Sequence, residues 1–299
     1  MKKPGKSEAA FRVVAKRYPG LVEKIKRLVE ESERAFAGNA PETEGSYLWE
    51  HTVHVASLAF KLAEEERRDP LLAAITALFH DAGKFAGGSY HAGGTTEEDE
   101  AAKLAGPVLK RSRVPAADRY AILAALGSLY KEGASPNPTA AIVHDADFLS
   151  KFGALGVAQF FIKSALRGKT LHATVMNSLS KELTYAACLP LNMRTKAGRA
   201  RAEAKAEETI RFYETLLKEL GETHGGAFRI KTVSVPHPSR RGRKIEARLV
   251  LSAACEDCGG GWTVARTIKA GVKCTRLEAR LRCRSCGASH EIGFCLPEL

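Results

Sequence analysis

The sequence predicts a mainly α-helical protein that ends in a small β-structured module, and three observations carry that expectation. Apolar residues recur at helical spacing almost throughout, from about residue 8 to about residue 220. After Gly221-Glu222-Thr223-His224-Gly225-Gly226 the pattern changes to an alternation of apolar and polar residues, in FRIKTVSVP and RKIEARLVLSA. Six of the 7 cysteines then crowd between Cys255 and Cys295. The expected organisation is an N-terminal helical extension over 1–44, a helical domain over 45–221 and a β-rich module over 222–299.

Along the helical part, SYLWEHTVHVASLAFKLAEEE places Leu48, Val55, Leu58, Ala59 and Leu62 near one face, with acidic residues at its solvated end. DPLLAAITALFHDAGK starts on Asp69-Pro70, a capping residue followed by proline at the first turn, and stops near Gly83. EDEAAKLAGPVLKR, AADRYAILAALGSLY and TAAIVHDADFLSKFGALGVAQFF read as three further helices. KAGRARAEAKAEETIRFYETLLKEL is a long charged helix with Ile210, Tyr213, Leu216 and Leu217 on one side. The Gly- and Thr-rich FAGGSYHAGGTTEE and the stretch KEGASPNP read as loops.

A chain of 299 residues has room for one full-sized core and a smaller second module. It has no run of about eighteen apolar residues, which excludes a membrane-spanning helix. The start MKKPGKSEAAFRVVAKRYPG is basic but lacks an apolar signal core, so a cytoplasmic location is expected. The net charge of +12 favours polyanions such as nucleic acid, nucleotides or anionic lipid, without choosing among them.

Cys255-Glu-Asp-Cys258 and Cys283-Arg-Ser-Cys286 have the spacing of a zinc ribbon, in which two short turns each offer two thiolates to a structural Zn²⁺. A module this small buries little apolar surface, so the metal would supply much of its stability. Cys274, His290 and Cys295 are left over, and could replace one ligand. Arg240, Arg241, Arg243, Arg266 and Lys269, beside Trp262, suit single-stranded nucleic acid, and equally suit a solvated surface.

Within the helical part, His51, His80-Asp81 and Asp147 are imidazoles and carboxylates, the donors that suit a divalent cation with positions left for water. His80 and Asp81 are expected in the last turn of their helix, where free carbonyls favour a cation. Lys84, four residues after His80, is placed to meet a substrate phosphate. His54 and Asp145 are alternatives to His51 and Asp147, and Asp145 and Asp147 are expected near the start of their helix.

The block WEHTVHVASLAFKLAEEERRDPLLAAITALFHDAGKF resembles the first half of an HD-domain phosphohydrolase, and AIVHDADFLSKFGALGVAQFF resembles the segment that supplies that family's distant aspartate. NMRTKAGRARAEAKAEETIRFYETLLKEL is similar to the closing helix of a nucleotide-cleaving branch, so the resemblance spans about 45–220. It implies an all-helical HD core, with His51, His80, Asp81 and Asp147 as ligands of Mn, Mg, Co, Ni or Fe. The activity it implies is hydrolysis of a phosphate ester or anhydride in a phosphorylated small molecule or nucleotide. The departure from the family lies in AILAALGSLY, which has no histidine. One metal is therefore expected, and His91, Glu97 or Glu98 would serve as general acid beside Asp81 and Lys84. The rival reading is a nucleic-acid-binding or regulatory protein whose helical domain is inactive and whose basic ribbon does the work.

Overall fold

The computed structural model describes residues 10–37, 45–85, 96–131, 137–171, 182, 185–186, 189–190, 192–224, 228–233, 246–255, 257–269 and 276–295. The chain divides into two compact units, one of Met1–Ser150 with Arg194–Gly198, the other of Lys151–Met193 with Arg199–Leu299.

The first unit is helical: α1 (Ala10–Arg17), α2 (Leu21–Ala37), α3 (Tyr47–Glu65), α4 (Pro70–Phe79), α5 (Glu97–Arg111), α6 (Ala116–Leu126) and α7 (Pro138–Ser150). Its centre is α4, in which every residue from Ala73 to Phe79 is buried. A helix apolar on all sides must be surrounded, and α4 packs against α3, α6 and α7. The helix starts follow the sequence. Asp69 caps α4 by accepting from the Leu71 and Leu72 amides, with Pro70 in the first turn, as DPLL predicts. Ser46 caps α3 by accepting from the Trp49 amide, and its hydroxyl donates to Glu33 of α2. Thr96 caps α5, whose first turn carries Glu97, Glu98, Asp99 and Glu100 and whose last carries Lys110 and Arg111, signs that match the helix dipole. Glu97 and Glu98 thus open a helix and are not part of the preceding loop.

One expected helix is two. TAAIVHDADFLSKFGALGVAQFF breaks after Ser150, and α8 runs Gly153–Leu166. Phe152 is extended (φ −125°, ψ 167°) and Gly153 sits at φ +75°, a conformation that ends helical hydrogen bonding. The second unit holds α8, most of α9 (Lys196–His224) and five strands. The Gly153 amide donates to Thr209 Oγ1 at 2.7 Å, and Lys205 Nζ to the Phe152 carbonyl at 2.9 Å. Phe161 of α8 lies 6.4 Å from the ring of Tyr213, which is fully buried on α9.

The strands form two antiparallel sheets: β1 (Phe228–Val233), β2 (Glu246–Ala254) and β3 (Gly261–Lys269) in the order β1-β2-β3, and β4 (Arg276–Arg282) with β5 (Ser289–Cys295). Ala254 pairs with Gly261, and Arg282 with Ser289, so each tight turn carries one Cys-x-x-Cys pair. The protein is thus mainly α, with a helical core and a small cysteine-bearing β module. Among the described residues no helix is long and apolar enough to cross a membrane.

Candidate metal centre

Four side chains of the first unit converge, each from a different backbone position. His51 stands in the second turn of α3, on its buried face with Leu48 and Val55. His80 is the C-terminal cap of α4 and Asp81 lies one residue beyond, so the pair sits just past the helix and not in its last turn. There the backbone tightens into three-residue turns, with amide to carbonyl bonds from His80 to Ala77, from Ala82 to Phe79 and from Lys84 to Asp81. Asp147 comes from the second half of α7, not from the start of a helix.

His51, His80, Asp81 and Asp147 are all buried. His51 Nε2 lies 3.6 Å from Asp81 Oδ2 and 3.3 Å from Asp147 Oδ1. His80 Nε2 lies 3.7 Å from Asp81 Oδ1 and 3.8 Å from Asp147 Oδ1. Most of these separations are too long for hydrogen bonds. Donor atoms held at ~2.1 Å around one divalent cation lie ~3.0–3.5 Å apart, close to what is seen. The strongest sign is on His80. Its Nδ1 is 2.7 Å from the Ala77 carbonyl and must donate there, which leaves Nε2 with its lone pair facing the cluster. That Nε2 is buried and has no hydrogen-bond partner. A buried polar atom costs free energy unless it is partnered, and a cation would partner this one. The residues therefore fit a divalent metal.

The charges agree. Burial pushes the His51 imidazole below its ordinary value, against the pull of Asp147 and Asp81, so it favours the neutral, ligating form. Burial alone would raise the Asp81 carboxyl, but the Lys84 ammonium, then His80 and His51, hold it well below the usual range. Lys84 Nζ donates to Asp81 Oδ2 at 2.6 Å. Burial would lower the Lys84 ammonium, yet Asp81 beside it raises it. Lys84 thus lies beside the cluster with one known partner, a carboxylate.

Gly83 brings α5 to this turn. A Cβ there would stand 2.3 Å from the Glu97 carbonyl oxygen and 2.7 Å from the Ala101 amide nitrogen, so only glycine permits the approach. Glu97 in turn raises the Lys84 ammonium, as a close carboxylate does. His91 lies outside the described residues. His54, three residues on along α3, is only half-buried, whereas His51 is buried.

Asp145 does something else. Its carboxylate, fully buried, accepts from the Arg194 amide at 2.9 Å, the Thr195 amide at 2.7 Å and the Thr195 hydroxyl at 2.7 Å. Thr195 Oγ1 accepts from the Gly198 amide at 2.9 Å, and Glu66 accepts from the Ala197 amide at 2.6 Å, so the start of α9 is capped from α3 and α7. The alternative between Asp145 and Asp147 is one of orientation: two residues apart on a helix, they point to different sides.

Tyr130 carries no signal in the sequence. It stands in the turn after α6 and donates its hydroxyl to Asp147 Oδ2 at 2.7 Å. Burial, then the Asp147 charge, push its phenol well above the ordinary value, so it stays a donor. AILAALGSLY shows only an aromatic at a helix end, which is most often packing.

In the second unit, Cys255 Sγ lies 3.6 Å from Cys286 Sγ, and Cys258 Sγ 3.6 Å from Cys283 Sγ. These are far beyond a disulfide bond and near the ~3.8 Å edge of a sulfur tetrahedron around zinc. The two turns repeat each other. The Gly259 amide donates to the Cys255 carbonyl and the Gly287 amide to that of Cys283, with φ of +68° and +80° at the glycines. The repeated Cys-x-x-Cys-Gly thus has a mechanical origin: the left-handed glycine closes the turn that carries the two thiols. The Cys286 and Ser285 amides lower the Cys283 thiol to about 6, while the Cys255, Cys258 and Cys286 thiols are raised. Cys274 lies outside the described residues, and His290 and Cys295 lie on β5.

Residues 48–151 match the HD domain family. The solved structures include a predicted HD superfamily hydrolase from an uncultured Thermotogales bacterium, 21% identical with a TM-score of 0.50, covering 71% of this chain and 99% of that one. Bacillus subtilis YpgQ is 19% identical, with a TM-score of 0.49 over 67% of this chain and 95% of its own. An HD-superfamily hydrolase from Bacillus thuringiensis is 21% identical, with a TM-score of 0.47 over 67% and 98%. At these identities the likeness concerns the fold. No curated protein matches the chain.

Proposed function

We propose that the chain is a metal-dependent phosphohydrolase acting on a phosphate ester or anhydride, with a nucleotide or a nucleic-acid-related phosphate as its substrate class. The observation that carries this reading is the buried, unpartnered Nε2 of His80, aimed at His51, Asp81 and Asp147. These four would hold one Mn, Mg, Co, Ni or Fe ion. A bound divalent cation supplies Lewis acidity: it lowers the pKa of a coordinated water and polarises a phosphoryl oxygen.

The chain's own residues do the rest. Asp81 accepts a hydrogen bond from the attacking water and orients it. Lys84 turns its ammonium to a phosphoryl oxygen and neutralises charge as it builds. The water oxygen bonds to phosphorus and gives up a proton to solvent, the phosphorus–oxygen bond to the leaving group breaks, and the leaving oxygen takes a proton. Glu97, whose charge is felt by Lys84, is a candidate proton donor, with Glu98 and His91 as the others. Four cysteines would hold a structural Zn²⁺ in the C-terminal module, which we take as a separate domain from about 222. Thiols kept as metal ligands suit a reducing, cytoplasmic setting.

Metal analysis with phosphate release from a nucleotide panel tests this. Two metal equivalents are expected, with turnover lost in His80→Ala while zinc remains; turnover in a metal-free His80→Ala chain would sink the proposal. The second reading, a nucleic-acid-binding protein with an inactive helical domain, draws on the net charge of +12. It requires salt-dependent binding of single strands and no hydrolysis with any cation.

A further inference from the structure

The two oxygens of Asp147 are used differently. Oδ1 faces the histidines, 3.3 Å from His51 Nε2 and 3.8 Å from His80 Nε2, while Oδ2 accepts the Tyr130 hydroxyl at 2.7 Å. A carboxylate free to rotate would offer either oxygen, or both, to a cation. Tyr130 blocks that choice: with Oδ2 tied to the phenol, Oδ1 is the oxygen left for the cluster.

The position of Tyr130 is itself held on two sides. Arg194 Nη1 donates to the carbonyl of the preceding residue, Leu129, at 2.6 Å. The Tyr130 ring lies 5.7 Å from the ring of His144, which stacks on Phe148 at 4.5 Å and meets Asp145 Oδ1 through Nδ1 at 3.0 Å. Asp145 also holds the backbone of Arg194 and Thr195. Tyr130 is 40% exposed as a residue, yet its hydroxyl reaches the buried Asp147 carboxylate.

We propose that Tyr130 is a positioning residue of the metal centre: its hydroxyl fixes the Asp147 carboxylate so that Oδ1 faces the cation. The inference rests on the metal-site reading above. Outer donors of this kind orient a ligand and pre-pay the cost of ordering it, so their removal weakens metal binding without removing a ligand.

The test is a Mn²⁺ titration of the whole 299-residue chain with zinc supplied, with free Mn²⁺ read by electron paramagnetic resonance and stability without Mn²⁺ read by thermal unfolding. Tyr130→Phe is expected to raise the Mn²⁺ Kd about tenfold, the low end for a lost outer-shell donor, and to leave the Mn²⁺-free melting temperature near that of the wild type. His80→Ala is expected to abolish binding at the same site. If Tyr130→Phe binds Mn²⁺ within about twofold of the wild type while His80→Ala does not bind, the positioning role is overturned and the metal site stands. A raised Kd matched by an equal fall in the Mn²⁺-free melting temperature also overturns it, since a purely structural hydroxyl acts on both states alike. Failure of the wild-type chain to bind Mn²⁺ removes the metal reading and this inference together.

Discussion

Replacing Asp145 should destabilise the helical unit more than any other single carboxylate substitution near the site. The side chain is fully buried and accepts from the amides of Arg194 and Thr195 and from the Thr195 hydroxyl. In Asp145→Ala the hydroxyl can rotate, but two backbone N–H groups lose their acceptor. At about 1–3 kcal/mol for each orphaned donor, the expected loss is about 4 kcal/mol. That is a large part of the ~5–15 kcal/mol by which a domain is stable, so this variant can fail to fold. Asp145→Asn keeps one acceptor oxygen and turns an NH₂ toward the other donors, and should lose about 2 kcal/mol. The assay is urea unfolding followed by fluorescence of Trp49, which sits on α3, in a Trp262→Phe background. Asp145→Asn within about 0.5 kcal/mol of the parent would refute the clamp, because surface-like substitutions fall in that range.

Gly83→Ala should cost about 1–3 kcal/mol or more and weaken metal binding, because its Cβ would overlap the Glu97 carbonyl; calorimetry with a Mn²⁺ titration reads both effects. Stability of the metal-free chain should fall with acidity in a defined window. The folded His51 is depressed from 6.5, so below that pH the unfolded chain takes a proton that the folded chain refuses. Its contribution is fully present above about 6.5 and is lost as pH falls toward the folded value; melting points from pH 7.5 to 5.5 should show a slope that His51→Gln removes. Cys283→Ser, or a strong zinc chelator, should remove the β-module's metal and its strand signal in circular dichroism; an unchanged spectrum in the chelated chain would contradict a metal-held module.

Several parts of this protein are local enough to be legible in its sequence. Asp69-Pro70 starts α4 because the cap and the fixed φ act within one turn. The Cys-x-x-Cys pairs announce a cluster of four thiols because two thiols and a turn need only a few consecutive residues. His80-Asp81 marks a helix end for the same reason. What the tertiary structure alone decided depends on directions in space. His51 faces Asp81 and Asp147, and Asp147 turns toward the two histidines while Asp145 caps α9. The break at Gly153 turned an apparently continuous apolar run into two helices, because a run of helical spacing does not record one left-handed residue. Tyr130 is silent in sequence, since its role lies in a single hydrogen bond to a residue 17 positions away. Spacing encodes which residues share a turn; the side of a helix that meets a ligand, and the outer donor that holds it there, are set only when separate helices pack.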